Sequence, residues 1–166
     1  MVYKNEYIAG TYRIKDHGDR MVYLRLDMNE NPEGLPEDFV QEVLKKITPG
    51  FLAAYPQKDR LISAIADREH TGRENVTLVN GSDEGMRLVF EVFTHAGGRV
   101  LTVTPTFEMY KVYAQMFGLR LDTVPFGEDF SVDVGNIIPM ITGETNLVVL
   151  LNPNSPVGAV FTGEEF

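Results

Sequence analysis

The spacing of hydrophobic positions changes part-way along this chain. Between residues 36 and 70 apolar positions recur at helical intervals. Phe39, Val40, Val43, Leu44 and Ile47 share one face of a helix expected from Pro36, and Pro49-Gly50 is expected to stop it. A second helix is expected over 57–70, burying Leu61, Ile62, Ile65 and Ala66. From Val76 onward, short apolar runs alternate with helical stretches. Residues 76–79, 100–103, 121–125 and 147–151 read as strands, the last of them a central one. The first intervening helix takes Ser82 as its N-cap and Met86, Val89, Phe90 and Phe93 as its apolar face, and Gly97-Gly98 closes it. The next covers 106–117 and stops at Gly118; a weak one covers 132–141, interrupted by Pro139. Strands alternating with helices predict an α/β fold of three layers, α/β/α, around a mostly parallel sheet.

The remaining stretches are irregular. Residues 1–20 read as a polar arm with scattered tyrosines, 22–28 as a short extended segment, and 29–34 as a turn cluster. Near the other end, Thr162-Gly163-Glu164-Glu165 fits a capping box, the mark of a helix about to begin. That pattern predicts a piece of a longer protein.

Composition narrows the function. The 166 residues are 43% hydrophobic and 23% charged, a globular balance. The net charge of −9 argues against nucleic acid or an anionic membrane surface as the main partner. No apolar stretch is long enough to span a bilayer, and the first ten residues lack the apolar core of a signal peptide. A cytoplasmic protein is therefore expected. Without cysteine there is no disulfide, thiolate metal site or cysteine nucleophile. His17, His70 and His95 show no metal-ligand spacing.

Candidate chemistry gathers at strand ends, where α/β proteins bind ligands. Gly81-Ser82-Asp83-Glu84-Gly85 lies at a strand-to-helix junction, whose amides and dipole can hold a phosphate. Asp83 and Glu84 would repel a dianion through their side chains, so backbone amides must do the binding. A plain helix cap is the competing reading. Pro105-Thr106-Phe107-Glu108-Met109-Tyr110 opens the next helix and places Tyr110 in its first turn. That ring can stack on a flat ligand or fill the core. Asn152-Pro153-Asn154-Ser155-Pro156-Val157-Gly158 follows the last strand. Its amides and hydroxyl can fix a ligand's hydroxyl or phenolate, or satisfy their own backbone. Tyr55-Pro56 completes the set.

In sequence, these motifs form an array: Asn29-Glu30-Asn31-Pro32, Tyr55-Pro56, Gly81-Ser82-Asp83-Glu84, Pro105-Thr106-Phe107 with Tyr110, and 152–158. The array resembles the N-terminal half of histidinol-phosphate aminotransferases, fold-type-I enzymes that use pyridoxal 5′-phosphate. The resemblance implies a partial large domain of that fold. Residues 1–34 would form an arm and small-domain segment, and 35–166 a partial cofactor-binding large domain that ends before the Schiff-base lysine. It implies that Ser82, Asp83 and Glu84 belong to the segment holding the cofactor phosphate, and that Tyr110 stacks on the pyridine ring. Tyr55 would reach the phosphate of a neighbouring subunit's cofactor in a homodimer with a shared active site. Asn29 would approach the substrate. The family usually reads Asn-Pro-Asn-Asn-Pro-Thr-Gly at the last motif, and its second consecutive asparagine bonds the phenolic oxygen. Here Ser155 holds that place, with shorter reach; Asn154 is the alternative donor, and Val157 replaces the threonine.

The resemblance implies an enzyme of histidine biosynthesis that transfers an amino group between histidinol phosphate and 2-oxoglutarate or glutamate. The lysine, the acid for the pyridine nitrogen and the arginine for a substrate carboxylate lie downstream in the family. This chain alone is therefore expected not to transaminate. An amino-acid-phosphate decarboxylase of the same fold would share the motifs. A non-catalytic binding or oligomerisation module is the alternative of another class. A nucleotide-binding α/β domain is disfavoured by the missing glycine fingerprint. Half of a large domain would leave apolar surface and a strand edge open, which predicts association into a dimer or higher oligomer.

Overall fold

The computed structural model describes residues 18–165, which fall into two compact units, 18–78 and 79–165. Most of the expected N-terminal arm (1–17, with His17) and Phe166 lie outside the described residues.

In the first unit, residues 22–28 form no strand. Arg20–Val22 is a 3₁₀ turn, with the Met21 N–H donating to the Asp19 carboxylate at 2.9 Å. The Arg20 guanidinium then pairs with Asp27 at 2.7 Å and Glu30 at 2.8 Å, and Arg25 pairs with Glu30 at 3.1 Å. Charge pairing, not a ladder, shapes this segment. Helix α1 spans Glu37–Leu44. Pro49-Gly50 does not stop it but opens helix α2, Pro49–Ala53, where Thr48 caps the Phe51 N–H at 3.1 Å. Proline suits the first helical position because its missing N–H has no intrahelical partner there. Helix α3 is Asp59–Arg68, and Arg73 reaches back to Asp59 at 2.9 Å. On the first predicted apolar face Phe39, Val43, Leu44 and Ile47 are exposed, and of the second helix's residues expected to be buried Leu61 is exposed and Ala66 is enclosed. An apolar stripe shows that a face is suited to being covered, not that its own unit covers it. Residues 76–79 form no ladder with any described strand. An alternating run this short becomes a strand only beside a neighbour.

In the second unit, helix α4 spans Gly81–Phe93. Its N-cap is Asn80, not Ser82. Gly81 takes a left-handed φ of 80°, which lets the chain turn sharply into the helix two residues early. Strand β1 (Arg99–Thr104) follows, then helix α5 (Met109–Met116) and strand β2 (Arg120–Pro125). Helix α6 is one turn, Val134–Ile137, and runs into a 3₁₀ turn, Ile138–Met140, that accepts Pro139. Strand β3 is Thr145–Val149.

All pairing is parallel, in the order β2-β1-β3, so β1 and not β3 is central among the described strands. Successive residues of β1 feed opposite faces. Val100 joins Phe90, Tyr110, Tyr113 and Ala114 from α4 and α5. Leu101 and Val103 join Val124, Ile137 and Phe161 on the other side. These two clusters make the sheet the middle of three layers, α/β/α. Buried Thr102 donates its hydroxyl to the Val149 carbonyl at 2.7 Å, tying β1 to β3 through a side chain. The Arg99 guanidinium donates to Asp122 of β2 at 2.7 Å.

Phe90 is 1% exposed, whereas Val92, on the same helix, is 69% exposed. Truncating Phe90 to alanine is expected to cost about 3–5 kcal/mol in urea unfolding. Val92→Ala should stay within about 0.5 kcal/mol of wild type. Equal effects would contradict this packing.

Candidate functional site

Three segments meet at the carboxyl ends of the strands. The first is the start of α4. Glu84 turns back on its own helix, so that one carboxylate oxygen accepts from the Asn80 backbone N–H at 2.5 Å and its side-chain amide at 2.9 Å. These bonds, with the backbone N–H first, hold the Glu84 carboxyl below its usual range. The Asn80 amide is spent on this contact and does not cap the helix. The first-turn amides of a helix have no intrahelical acceptors. The Ser82 hydroxyl is exposed and makes no side-chain hydrogen bond among the described residues. A Cβ on Gly81 would meet nothing within 4 Å, so the approach is open.

The second segment joins β1 to α5. The sequence predicted helix from 106, but α5 begins at Met109 because Pro105 and Thr106 are held elsewhere. Tyr110 is in the first turn, as expected, and is buried. Its ring lies 6.5 Å from Phe90, nearly parallel, and edge-on to Phe107 at 5.9 Å. Burial pushes its hydroxyl above the ordinary phenol range. A cavity of about 190 Å³ opens beside it, lined by Thr102, Thr104, Thr106, Tyr110, Lys111 and Thr123 among others. Tyr113, one turn on, donates to the Asp83 carbonyl at 2.9 Å and so fixes α5 against the first turn of α4.

The third segment, 152–158, binds itself. The Asn152 amide pairs with the Phe161 backbone in both directions, each bond 3.0 Å. Asn154 is 1% exposed. Its Oδ1 accepts from the Thr106 hydroxyl at 2.7 Å, and its Nδ2 donates to the Pro105 carbonyl at 2.9 Å. Its backbone also closes the turn, donating to Ala159 at 2.8 Å and accepting from Gly158 at 2.6 Å. Ser155 stands exposed at the tip with no side-chain hydrogen bond among the described residues. Thus Ser82, Asp83, Glu84, Tyr110, Asn154 and Ser155 all belong to one compact unit. Asn29 and Tyr55 belong to the other, where both are exposed, Tyr55 at 97%. Sequence reasoning missed Thr106 and Tyr113 as ties between segments. Their signals are a hydroxyl directly after a strand and a tyrosine three residues past Tyr110.

Three other cavities are larger, each lined in part by charged side chains. One of about 370 Å³, at the amino ends of the strands, is lined by His95, Gly97, Gly98, Arg120, Gly143, Glu144 and Asn146. Its Gly97 and Gly98 amides are spent on the Gly118 and His95 carbonyls. One of about 670 Å³ runs along Arg20–Asp27, where both arginines are already paired with carboxylates.

The aminotransferase class I and II family model matches residues 22–166. The chain belongs to that family. It is 32% identical over 95% of its length to histidinol-phosphate aminotransferase of Thermococcus gammatolerans, and covers 43% of that protein. Against the enzyme of the same name from Pyrococcus furiosus, identity is 31% over 91% of this chain and 41% of that one. The chain therefore spans about two-fifths of the length of these curated relatives. The fold matches a crystal structure of histidinol-phosphate aminotransferase from Sinorhizobium meliloti in complex with pyridoxal-5′-phosphate. That match has a TM-score of 0.71 and 24% identity, over 82% of this chain and 37% of that one. Tyrosine aminotransferase from Leishmania infantum matches at a TM-score of 0.68 and 19% identity, over 78% and 40%. The partial α/β domain is thus of the fold-type-I aminotransferase kind. Among the described residues, no helix is long and apolar enough to cross a membrane.

The residues present fit a phosphorylated pyridine. Open helix amides with a free hydroxyl suit the phosphate, and the Tyr110 cavity suits a flat ring. The Glu84 clamp gives a pH prediction. Because its folded pKa is lowered, the clamp is complete above the unfolded carboxyl pKa and is lost only as pH falls through the lower folded value. In an NMR titration, the Asn80 amide resonance should stay still through the ordinary glutamate range and move below it. Movement centred in the ordinary range would contradict the clamp.

Proposed function

We propose that this chain forms the cofactor-holding part of a pyridoxal phosphate-dependent aminotransferase. In the whole protein, the reaction moves an amino group between histidinol phosphate and 2-oxoglutarate or glutamate, a step of histidine biosynthesis. The observation that carries this reading is the unspent donor set at the start of α4, set beside the Tyr110 cavity. The 32% identity to a protein named histidinol-phosphate aminotransferase supports the substrate.

Bound pyridoxal phosphate supplies an electron sink for bond changes at a substrate α-carbon. This chain's residues hold and orient it. The backbone amides of Gly81, Ser82 and Asp83 and the Ser82 hydroxyl take the phosphate oxygens. Glu84 is held on Asn80 by two hydrogen bonds, which occupy one of its carboxylate oxygens. Tyr110 walls the ring, and the Ser155 hydroxyl donates to its phenolic oxygen. In this reading 35–166 is the cofactor-binding large domain and 1–34 the arm and small-domain segment, with Asn29 toward substrate. Tyr55, flanked by exposed Phe51 and Leu52, reaches the phosphate of a second subunit's cofactor in a homodimer.

The test is titration of the chain with pyridoxal phosphate, followed by its absorption. Saturable binding is expected, and Ser82→Asp should weaken it about tenfold or more, because it sets a negative charge against the dianion. Unchanged binding by Ser82→Asp would contradict the phosphate assignment. In the whole protein, amino transfer from histidinol phosphate to 2-oxoglutarate is expected; no turnover of histidinol phosphate would contradict the substrate.

A further inference from the structure

The Asn154 side chain is the most deeply buried polar group among the described residues of the 152–158 turn, 1% exposed. Both of its amide atoms are spent on the loop between β1 and α5, namely the Thr106 hydroxyl and the Pro105 carbonyl. The loop it grips leads directly into the turn of α5 that carries Tyr110, whose N–H donates to the Phe107 carbonyl at 3.2 Å. The residue that follows Asn154 is the exposed Ser155. One buried amide therefore joins the two loops. Its environment leaves no slack, because a buried Oδ1 that loses its donor is left unsatisfied.

We propose that Asn154 is a positioning residue which, through Thr106, fixes the Ser155 tip and the first turn of α5 in one register, so that Ser155 and Tyr110 meet a bound pyridoxal ring together. This rests on the cofactor reading above and reassigns Asn154 from ligand to latch. The phosphate end of the site does not depend on the latch. The Gly81–Asp83 amides belong to α4, which is tied to α5 through Tyr113 and Asp83 and not through Thr106.

Thr106→Val keeps the shape and removes only the donor; Thr106→Ser restores it. Amide hydrogen exchange of the full chain should rise about tenfold in Thr106→Val at Asn154, Gly158 and Tyr110 together, with α4 unchanged, and return to wild type in Thr106→Ser. A rise confined to one segment, or shared equally by α4, would overturn the latch. Affinity for pyridoxal phosphate should fall about tenfold in Thr106→Val while affinity for inorganic phosphate holds. An equal loss of both, or of neither, would overturn the positioning role. The wild type gives the same answer without any variant. Pyridoxal phosphate should slow exchange in the 154–159 turn and the first turn of α5 together, and inorganic phosphate should slow it only at the start of α4. Protection of just one of the two segments by pyridoxal phosphate overturns the proposal. A wild-type chain that binds inorganic phosphate but not pyridoxal phosphate overturns the cofactor reading, and the positioning role with it, even where the exchange coupling in Thr106→Val is seen.

Discussion

Burial of β1 on both faces is the constraint on which the rest of the second unit depends. A parallel strand must be flanked by strands on its edges and covered on each face, or its backbone and side chains meet water unpaired. Val100 packs on the α4–α5 layer and Leu101 and Val103 on the α6 layer, while β2 and β3 take the two edges. With β1 fixed from four sides, its carboxyl end is fixed too. That end delivers Pro105 and Thr106 to Asn154, and one helical turn later delivers Tyr110 to Phe90. The candidate site is therefore a set of flexible-looking loops held by a strand that has no freedom to move.

The site divides into two kinds of polar group. Asn152, Asn154, Glu84 and Tyr113 spend their hydrogen bonds inside the protein. Ser82 and Ser155, together with the first-turn amides of α4, face outward. This division is what a preorganised site requires: the groups that meet a ligand are few, and those that hold them are satisfied elsewhere. It also accounts for one of the two carboxylates at the α4 start. Glu84 is committed to Asn80, accepting from its backbone N–H and its side-chain amide.

Much of this was legible in the sequence because burial writes a strong pattern. β1, β2 and the Phe90 face of α4 were visible as apolar runs with the right periods. The three strand-end motifs that make up the candidate site were found as motifs. What was not legible depended on partners. Residues 76–79 alternate like a strand but meet no ladder among the described residues. Ser82 is a fine cap by type, yet the helix starts two residues sooner, at Gly81. Asn154 looked like a ligand because an asparagine in a turn offers the same atoms to a cofactor or to the neighbouring loop. Only the position of Thr106, 48 residues away, decides between them. The faces of α1 and α3 were read correctly as apolar, but Leu61 of α3 was wrongly read as buried, since periodicity does not say what covers a face.

The central claim is that the carboxyl ends of the strands, and not the larger cavities elsewhere, hold a phosphorylated pyridine. A residue-by-residue map of backbone amide shifts during titration with pyridoxal phosphate tests it most directly. The account predicts that the largest shifts fall on 81–84, the first turn of α5 and the Ser155 tip. Shifts concentrated instead on Gly98, Arg120 and Asn146 at the opposite end of the sheet, or on Arg20–Asp27, would contradict it.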